Sequence, residues 1–475
     1  MRSLLDLDGR RVTVQGLGLF GGGATAARFL ARRGARVTVT DTRSAEDLAP
    51  AVESLAGVDV RFVLGEHRPE DFDAAELVVA NPAVPPANPW LARARARGAR
   101  VTSETELFLS VCPARIAAVT GTQGKSSTCN ALHQLLGLAG FRAHLGGNIG
   151  HSLLEAAAGM GAEDVVVLEL SSYQLEALPE RPFEPGATPR VEVVCVTNVL
   201  ADHLDRHGSL EAYASAKRRI LDLVALPGGT AVLSAEDPRL AAWRRAGVSR
   251  LDAWPTRPSE RGLNLRDGHF RLDRELLGHV EDVHLPGRFQ LENVLLALGL
   301  ARTLGAGPEA LSAALPELTA LPHRMQDLGL FGGHRVWDNG VSTTPDSTLA
   351  VFGSLAPGFT LIAGGKPKDL PLEPLVAAAR GRARRAVTFG KGAEALRAAL
   401  AAGGLEARAV ETVHEAVEAA FAGLAPGEEV LFSPACASYD QYRNFEERAR
   451  DFRQGLERYR TPAGDRRLDK PGRGG

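Results

Sequence analysis

The chain has 475 residues, 44% of them hydrophobic and 24% charged, with 55 lysines and arginines against 57 aspartates and glutamates. This length predicts roughly two to four globular domains. The formal net charge of −2 argues against a general nucleic-acid or polybasic membrane binder.

Short apolar runs recur along the chain, each followed by a glycine-rich or polar turn and then by an amphipathic helix. They cover residues 11–15, 36–40, 76–80, 116–120, 165–168, 191–196, 359–363 and 430–432. Apolar runs of this length, separated by helical spacers, predict parallel strands that are buried on both faces. The fold class is therefore α/β with doubly wound sheets, in which ligands bind at the carboxyl ends of the strands.

Three blocks emerge from this pattern, and we expect domains at 1–112, 113–320 and 321–459. The back of the second block, about 225–290, is more polar and typical of strands joined by turns. The polar tail at 460–475 is predicted to be disordered.

Targeting and redox signals are weak. The apolar runs are too short for a transmembrane helix, and no signal peptide is evident. The four cysteines contain no CxxC pair, so neither a disulfide framework nor a zinc site is predicted. We expect a reducing, cytoplasmic setting. The chain has only six lysines, which makes a lysine in a loop more informative than usual.

The first turn carries the glycine pattern Gly16-x-Gly18-x-x-Gly21, and the next strand ends in Asp41-Thr42-Arg43. Such a turn commonly holds a dinucleotide pyrophosphate. Taken alone, the pattern favours NAD binding and the binding of another nucleotide diphosphate about equally, and a tight turn without a ligand stays open.

The strongest local signal lies between a predicted strand and a predicted helix. It reads Thr120-Gly121-Thr122-Gln123-Gly124-Lys125-Ser126-Ser127. Glycines let backbone N–H groups point at phosphate oxygens, and the helix N-terminus adds a favourable dipole. Lys125 would reach the β- and γ-phosphates, and Ser126 would ligate Mg²⁺. Val119 stands where the full phosphate-loop pattern has its first glycine, so a glycine-rich turn with a surface lysine is the alternative.

Two further strand ends carry polar side chains. Glu169 ends a fully apolar strand, where a carboxylate is costly unless it pairs or binds a cation. His203 lies beside Asp202 and Asp205 after the next strand, and Lys217 follows on a helix. This arrangement suits Mg²⁺ ligation or general base chemistry, whereas a buried structural carboxylate and a surface histidine are the alternatives.

The third block offers four loops with charge or hydroxyl groups. They contain Arg324 and residues 337–345, 364–368 and 433–442. Singly, each is compatible with ordinary turn chemistry.

Together these motifs resemble the Mur ligase family over essentially the whole chain to about residue 459. The segments that carry the resemblance are 16–21 with 41–43, 120–127, 147–150 with 168–174, 202–205 with Lys217, and 433–445. The last segment points to the glutamate-adding branch. The resemblance implies three domains: an N-terminal Rossmann-like domain, a central ATP-binding domain of the phosphate-loop type and a C-terminal Rossmann-like domain. It also implies an ATP-dependent ligase that adds D-glutamate to UDP-N-acetylmuramoyl-L-alanine through an acyl phosphate.

The resemblance further implies the role of each site residue. UDP-substrate contacts fall on Gly18, Leu19, Thr42, Arg43 and Asn148. ATP contacts fall on Gly121, Thr122, Gln123, Gly124, Lys125, Ser126, Ser127, Asn293, Arg324 and Asn339. Metal ligands are Ser126, Glu169, His203 and Lys217, and the amino acid falls to Lys368, Ser438, Tyr439 and Phe445. Lys125, His203 and Lys217 are the catalytic residues, two Mg²⁺ sites are expected, and Lys217 is carbamylated in the family. The expected partners are small-molecule substrates. The protein itself is expected to be a monomer.

Some positions depart from the family pattern, namely Gln123, Phe289-Gln290 and Asp338-Asn339. A variant ligase that uses L-glutamate or another amino acid therefore stays open, as does a non-catalytic nucleotide sensor. A dehydrogenase would leave the loop at 120–127 unexplained. The sequence does not set the stereochemistry of the amino acid, because both enantiomers present the same groups.

Overall fold

A computed structural model describes residues 3–18, 21–150, 152–179, 190–224, 228–368 and 370–460. The chain forms two compact units, one of Met1–His284 with Phe289–Leu318 and the other of Leu285–Arg288 with Thr319–Gly475. The predicted disordered tail lies, from residue 461 onward, outside the described residues. Within the described ranges, no helix combines the length and apolar character needed to cross a bilayer.

The first unit begins with a five-stranded parallel sheet in the order β3-β2-β1-β4-β5. Its strands are β1 Arg11–Gln15, β2 Arg36–Asp41, β3 Val60–Leu64, β4 Leu77–Ala80 and β5 Arg100–Thr102. Its helices are α1 Gly22–Arg32, α2 Ala49–Glu53, α3 Pro69–Asp73, α4 Pro89–Ala96 and α5 Glu104–Val111. This is the strand order of a Rossmann half, and it places the topological switch point between β1 and β4.

The second sheet of this unit has nine strands in the order β14-β13-β12-β11-β10-β9-β6-β8-β7. The strands are β6 Arg115–Thr120, β7 Ala143–Gly147, β8 Val165–Glu169, β9 Arg190–Val196, β10 Thr230–Ser234, β11 Ser249–Trp254, β12 Leu263–Arg266, β13 His269–Leu272 and β14 Glu275–His279. The helices are α6 Lys125–Leu138, α7 Ser172–Ala177, α8 Leu204–His207, α9 Leu210–Arg218, α10 Pro238–Ala242, α11 Arg288–Thr303 and α12 Pro308–Ala314. Central β6 is buried along five of its six residues, as the apolar run predicts.

The second unit holds a six-stranded sheet in the order β15-β16-β20-β17-β18-β19. The strands are β15 Gln326–Phe331, β16 His334–Asp338, β17 Phe359–Gly364, β18 Ala383–Phe389, β19 Glu406–Ala409 and β20 Val430–Ala435. The helices are α13 Pro345–Leu349, α14 Glu373–Arg382, α15 Ala393–Ala402, α16 Val413–Phe421 and α17 Phe445–Leu456. The three sheets confirm the three-domain α/β fold, while the exact bounds 1–112, 113–320 and 321–459 stay predictions.

All eight predicted strands are present and pair in the parallel sense, as expected, whereas some strands that the apolar runs did not predict pair antiparallel. β12, β13 and β14 form an antiparallel meander, and β15 pairs with β16 in the antiparallel sense. Both antiparallel stretches lie at sheet edges, where one face can meet water and the strands need no apolar run. The expectation of strand-and-turn structure at about 225–290 is confirmed.

Arg448, on α17, connects the strand ends of the second unit. Its guanidinium is fully buried and donates hydrogen bonds to the carbonyl oxygens of Cys436 (2.8 Å), Gly340 (3.2 Å) and Gly364 (3.3 Å). These carbonyls lie at or just beyond the carboxyl ends of β20, β16 and β17 respectively. Burial is the main cause that lowers the pKa of Arg448 to about 10. One side chain therefore holds three neighbouring loops together.

We expect Arg448→Met to lower the free energy of unfolding by about 3 kcal/mol, because it leaves three buried carbonyl groups without their donor. Urea denaturation followed by circular dichroism measures the change. Arg450→Met is the matched control, since Arg450 lies two residues along the same helix and is exposed. The control should change stability by less than about 0.5 kcal/mol. Equal stability of both variants would contradict the role given to Arg448.

Candidate active site

The loop at 120–127 follows β6 and leads into α6, as predicted, and a second loop after β9 holds it from one side. The backbone N–H of Thr122 donates to the Asn198 carbonyl (3.0 Å), and the N–H of Gln123 donates to the Asn198 side chain (3.0 Å). Thr197 donates its hydroxyl to the Gln123 carbonyl (2.5 Å). These hydrogen bonds tie the loop at 120–127 to the loop after β9. Asn198 follows β9 and is not among the predicted site residues.

Two glycines in this loop are required by close approach. Gly121 has a φ of 151°, and a Cβ there would overlap the hydroxyl of Thr197. Gly124 has a φ of 81°, and a Cβ there would overlap the side-chain oxygen of Asn293. Asn293, predicted to contact ATP, is buried on α11 and supports the loop from behind. Any side chain at either glycine would displace the loop.

Lys125 is the first residue of α6, and its Nζ atom donates to the Thr122 carbonyl (2.9 Å). Ser126 and Ser127 follow in the first helical turn and are half-buried. The amine therefore curls over the loop that precedes it, next to the helix N-terminus, where phosphate oxygens are favoured.

Glu169, at the end of β8, is 1% exposed and keeps one oxygen atom without a partner. Its Oε1 atom accepts a hydrogen bond from the Asn148 side chain (2.8 Å), whereas Oε2 is buried and unpartnered. A buried carboxylate oxygen without a donor is costly and suits a cation. The structure thus places Asn148 against Glu169, and the UDP contact predicted for Asn148 stays a prediction.

Lys217, on α9, is 1% exposed. Its Nζ atom donates to the Gly121 carbonyl (2.6 Å) and lies 4.5 Å from the centre of the Tyr213 ring. The Tyr213 hydroxyl in turn lies 3.1 Å from that of Thr122. Lys217 therefore contacts the loop at 120–127 from the protein interior. Sequence reasoning missed Tyr213.

The amine of Lys217 is only weakly basic here. Burial lowers its pKa most, the charge of Lys125 lowers it further, and the charges of Asp202 and Glu169 offset part of the effect. The pKa falls from 10.5 to about 7. The charges of Lys125, Asp202 and Glu169 therefore all act on the amine of Lys217.

His203 immediately precedes α8 and has a left-handed φ of 51°, and its side chain is 48% exposed. Its Nδ1 atom lies 3.2 Å from the Tyr173 hydroxyl, and its Nε2 atom lies 3.6 Å from Asp202. The imidazole is thus held from one side by a phenol that sequence reasoning did not assign.

The turn after β1 packs on the end of β2. Asp41 accepts hydrogen bonds from the backbone N–H groups of Gly18 (3.3 Å) and Arg43 (3.0 Å). Burial alone would raise the pKa of Asp41, but these N–H groups and the Arg43 charge outweigh it, so the pKa is lowered. Thr42 and Arg43 are exposed beside the turn. Leu19, another predicted contact, lies outside the described residues.

In the second unit, three distant segments meet at Asp338, which is fully buried at the end of β16. Its Oδ2 atom lies 2.7 Å from His323 Nδ1 and accepts from Arg453 Nε (3.0 Å) and Nη2 (2.8 Å). Arg453 also donates to Gln326 (2.6 Å). This network fixes the segment that carries Arg324, and sequence reasoning missed it because its members lie up to 130 residues apart.

The predicted Asn339 contact with ATP meets a side chain already in use. Its amide nitrogen donates to the hydroxyls of Ser342 (2.6 Å) and Ser433 (3.0 Å), and the residue is buried. Asn339 therefore joins the loop after β16 to strand β20, and a nucleotide contact from it stays a prediction.

The predicted amino-acid contacts lie around the carboxyl ends of β16, β17 and β20. Lys368 Nζ donates to Thr343 (3.2 Å), Ser438 is buried, Tyr439 is exposed, and Phe445 is the first residue of α17. An open cavity of about 360 Å³ adjoins them. It is lined by Lys366, Lys391, Tyr439, Asp440 and Gln441. The low lysine count was the signal that could have drawn attention to Lys391.

Comparison with known proteins gives two family matches. A model described as the Mur ligase MurD-like N-terminal domain matches residues 10–103, and one described as the Mur ligase middle domain matches residues 119–301. The two matches fall on the first and second sheets of the first unit.

Curated relatives match along nearly the whole chain. A UDP-N-acetylmuramoylalanine--D-glutamate ligase from Roseiflexus sp. (strain RS-1) is 36% identical over 474 residues, which covers 96% of this chain and 100% of the relative. A ligase of the same name from Geobacter metallireducens is 36% identical over 462 residues, covering 95% and 98%.

Solved structures share the fold at low sequence identity. UDP-N-acetylmuramate-alanine ligase MurC from Thermotoga maritima has a TM-score of 0.59 at 19% identity and covers 94% of this chain and 98% of that one. MurF ligase from Thermotoga maritima in complex with ADP has a TM-score of 0.57 at 18% identity, covering 96% and 100%.

The lowered pKa of Lys217 predicts a pH-dependent stability. Between pH 7 and pH 10.5 the unfolded chain binds a proton that the folded chain releases, so this group makes the folded protein more stable as the pH rises. Below pH 7 both states hold the proton and the full penalty applies. We expect the stability of the wild type minus that of Lys217→Met to rise by about 2 kcal/mol from pH 7 to pH 9. Urea denaturation in CO₂-free buffer measures it, and parallel pH profiles would contradict it.

Proposed function

The chain belongs to the Mur ligase family, and from that premise we propose that it joins D-glutamate to UDP-N-acetylmuramoyl-L-alanine at the expense of ATP in peptidoglycan synthesis. The observation that carries the proposal is the match, along nearly the whole chain, to ligases named for D-glutamate. The loop at 120–127 and the residues around it supply the chemistry that such a reaction needs.

In the proposed reaction, a carboxylate oxygen of the nucleotide-sugar substrate attacks the γ-phosphorus of ATP and ADP leaves. The glutamate amine then attacks the carbonyl carbon of the acyl phosphate, inorganic phosphate leaves, and the amine loses a proton as the amide forms. Positioning and charge neutralisation supply most of the catalysis in phosphoryl transfer. Lys125 and the N-terminus of α6 would stabilise the charge that develops on the phosphoryl oxygens.

We infer that Mg²⁺ binds near Ser126 and Glu169, since the unpartnered Oε2 of Glu169 offers an anionic ligand in a buried place. The described residues contain no group of three His, Cys, Asp or Glu side chains that could hold a metal ion. Mg²⁺ commonly uses one or two carboxylates with waters and substrate phosphates, so this donor set still fits. When bound, the ion would neutralise phosphate charge, with His203 and Lys217 at a second position.

Carbamylation of Lys217 is part of the proposal. A neutral amine is the form that attacks CO₂, and the pKa of about 7 leaves a large neutral fraction at physiological pH. The product is an anion, so the repulsion between Lys217 and Lys125 would become an attraction. The modification would also turn a buried amine into a metal-binding carboxylate.

The turn at Gly16–Gly21 would receive the uridine diphosphate. Asp41 holds Gly18 of this turn next to Arg43 through their backbone N–H groups. In the second unit, Lys368, Ser438 and the adjoining cavity would receive the amino acid. Two lysines on the cavity wall suit a dicarboxylic acid. We propose a monomer that works in the cytoplasm, where a reducing environment keeps cysteine thiols such as its four unpaired ones reduced.

The first experiment measures ADP release by the purified protein with Mg-ATP and UDP-N-acetylmuramoyl-L-alanine, comparing D-glutamate, L-glutamate and no amino acid. We expect release with D-glutamate only. Lys125→Ala should lower the rate of ADP release at least about 100-fold, because the charge on the phosphoryl group loses its nearest cation. A preference for L-glutamate would indicate a variant ligase. ATP binding without release in any mixture would indicate a sensor.

The role of Lys217 is tested by chemical rescue. We expect Lys217→Ala to be inactive and to regain part of its activity when acetate supplies the missing carboxylate. Lys217→Arg, which keeps a cation but does not form a stable carbamate, should be inactive and should not respond to acetate. In parallel, ¹³C NMR with labelled bicarbonate should show a carbamate signal in the wild type and none in either variant. Full activity of Lys217→Ala without acetate would overturn the carbamate.

A further inference from the structure

Arg206 joins two parts of the first unit that the reaction must bring together. It lies on α8, three residues after His203, and its side chain is only 11% exposed. Its Nε and Nη2 atoms donate to the carboxylate of Glu176 on α7, at 3.1 and 2.7 Å. This fork holds the plane of the guanidinium in one orientation and leaves Nη1 to bond elsewhere.

On one side, Arg206 reaches the loop that follows β4 of the first sheet. Its Nη1 atom donates to the carbonyl oxygen of Ala83 (3.0 Å). The backbone N–H of Ala83 donates to the side chain of Asn81 (3.0 Å), and Asn81 lies against the nucleotide turn. A Cβ at Gly16 would come within 2.7 Å of Asn81 Cβ, and one at Gly18 within 3.1 Å of its Nδ2 atom. Arg206 thus contacts the turn after β1 indirectly, through Ala83 and Asn81.

On the other side, Arg206 supports the segment that carries His203. Its guanidinium lies 4.9 Å from the centre of the Tyr173 ring, and the Tyr173 hydroxyl lies 3.2 Å from His203 Nδ1. His203 keeps its left-handed backbone at the start of the same helix. The guanidinium therefore braces the ring that holds the imidazole.

We propose that Arg206 is a positioning residue that couples ligand binding at the turn after β1, at Gly16 and Gly18, to the placement of His203. The inference rests on the proposed function, because it takes the nucleotide-sugar as the ligand of that turn. A diphosphate bound against Gly16 and Gly18 would restrain Asn81, which contacts both glycines, and through it Ala83. The Ala83 carbonyl then fixes Arg206, and Arg206 fixes Tyr173 and His203. A substrate in the first sheet thereby prepares the site in the second.

An arginine is needed for this role because three directions must be satisfied at once. The planar fork bonds a carboxylate with two nitrogens, uses the third for a carbonyl, and still presents a face to an aromatic ring. A lysine ammonium at this place could bond Glu176 or Ala83 but would lose the flat contact with Tyr173. A methionine of similar length would lose all three hydrogen bonds.

The test compares wild type, Arg206→Met and the matched control Arg218→Met. Arg218 is an exposed arginine on α9 that also bonds a carbonyl oxygen, that of Arg244, at 3.0 Å. Hydrogen–deuterium exchange of backbone amides is followed at 10–18 and at 202–208, with and without UDP-N-acetylmuramoyl-L-alanine and in the absence of ATP. This readout does not depend on turnover.

In the wild type and in Arg218→Met, we expect the nucleotide-sugar to slow exchange in both segments. In Arg206→Met it should slow exchange at 10–18 only. Steady-state kinetics should show kcat/KM for the nucleotide-sugar reduced about tenfold, with KM for ATP unchanged. Arg206→Lys should recover part of the loss. Tyr173→Phe, which removes only the hydroxyl that faces His203, should weaken the response at 202–208 and leave that at 10–18 intact.

Two results would overturn the proposal: equal slowing of both segments in Arg206→Met, or no slowing at 202–208 in a wild type that binds the substrate. A variant with a lowered melting temperature but normal coupling would likewise assign Arg206 a merely structural role. Failure of the proposed function is distinguishable, because the wild type would then show no protection at 10–18 from the nucleotide-sugar. If Arg206→Met does not fold, Arg206→Lys and Tyr173→Phe carry the comparison.

Discussion

The buried amine of Lys217 is the group around which the catalytic loops are arranged. Removing an ammonium ion from water is costly, and here a second cation, Lys125, adds to the cost. The protein offsets it with the carbonyl of Gly121, the ring of Tyr213 and the charge of Glu169. Gly121 belongs to the proposed phosphate loop and Glu169 to the proposed metal site, while Tyr213 contacts Thr122 of the same loop. The groups that offset the cost of burying Lys217 therefore also help to set the geometry of the candidate site.

The three sheets place their polar groups according to one rule. In doubly wound sheets, ligands bind in the crevice outside the carboxyl ends of the strands, where the direction of winding reverses. The nucleotide turn follows β1, the loop at 120–127 follows β6, and the cavity of the second unit lies beyond β17 and β20. The surrounding helices cover the sheet faces, so chemistry is confined to one edge of each sheet.

Much of this could be predicted from the sequence, and the remainder has identifiable physical reasons for being missed. The eight predicted strands are those whose apolar runs are buried on both faces, such as β6 and β8. β7 contains two glycines and is mostly half-buried, and β19 has no fully buried residue, so neither gives a strong apolar signal. The candidate site follows the same division. Local motifs identified Lys125, Glu169 and His203, whereas partners brought in from distant segments, such as Tyr213, Arg453 and Asn81, leave no local pattern.

The scarcity of lysine has a practical consequence for experiments on this protein. Among the five lysines that the structure describes, Lys217 is buried and Lys125 half-buried, while the three exposed ones, Lys366, Lys368 and Lys391, surround the candidate amino-acid site. Amine-coupling chemistry, used to attach proteins to biosensor chips or to dyes, would therefore anchor many molecules through that site. A surface prepared in this way would under-report amino-acid binding while leaving the nucleotide loops open. Attachment through an affinity tag avoids the bias.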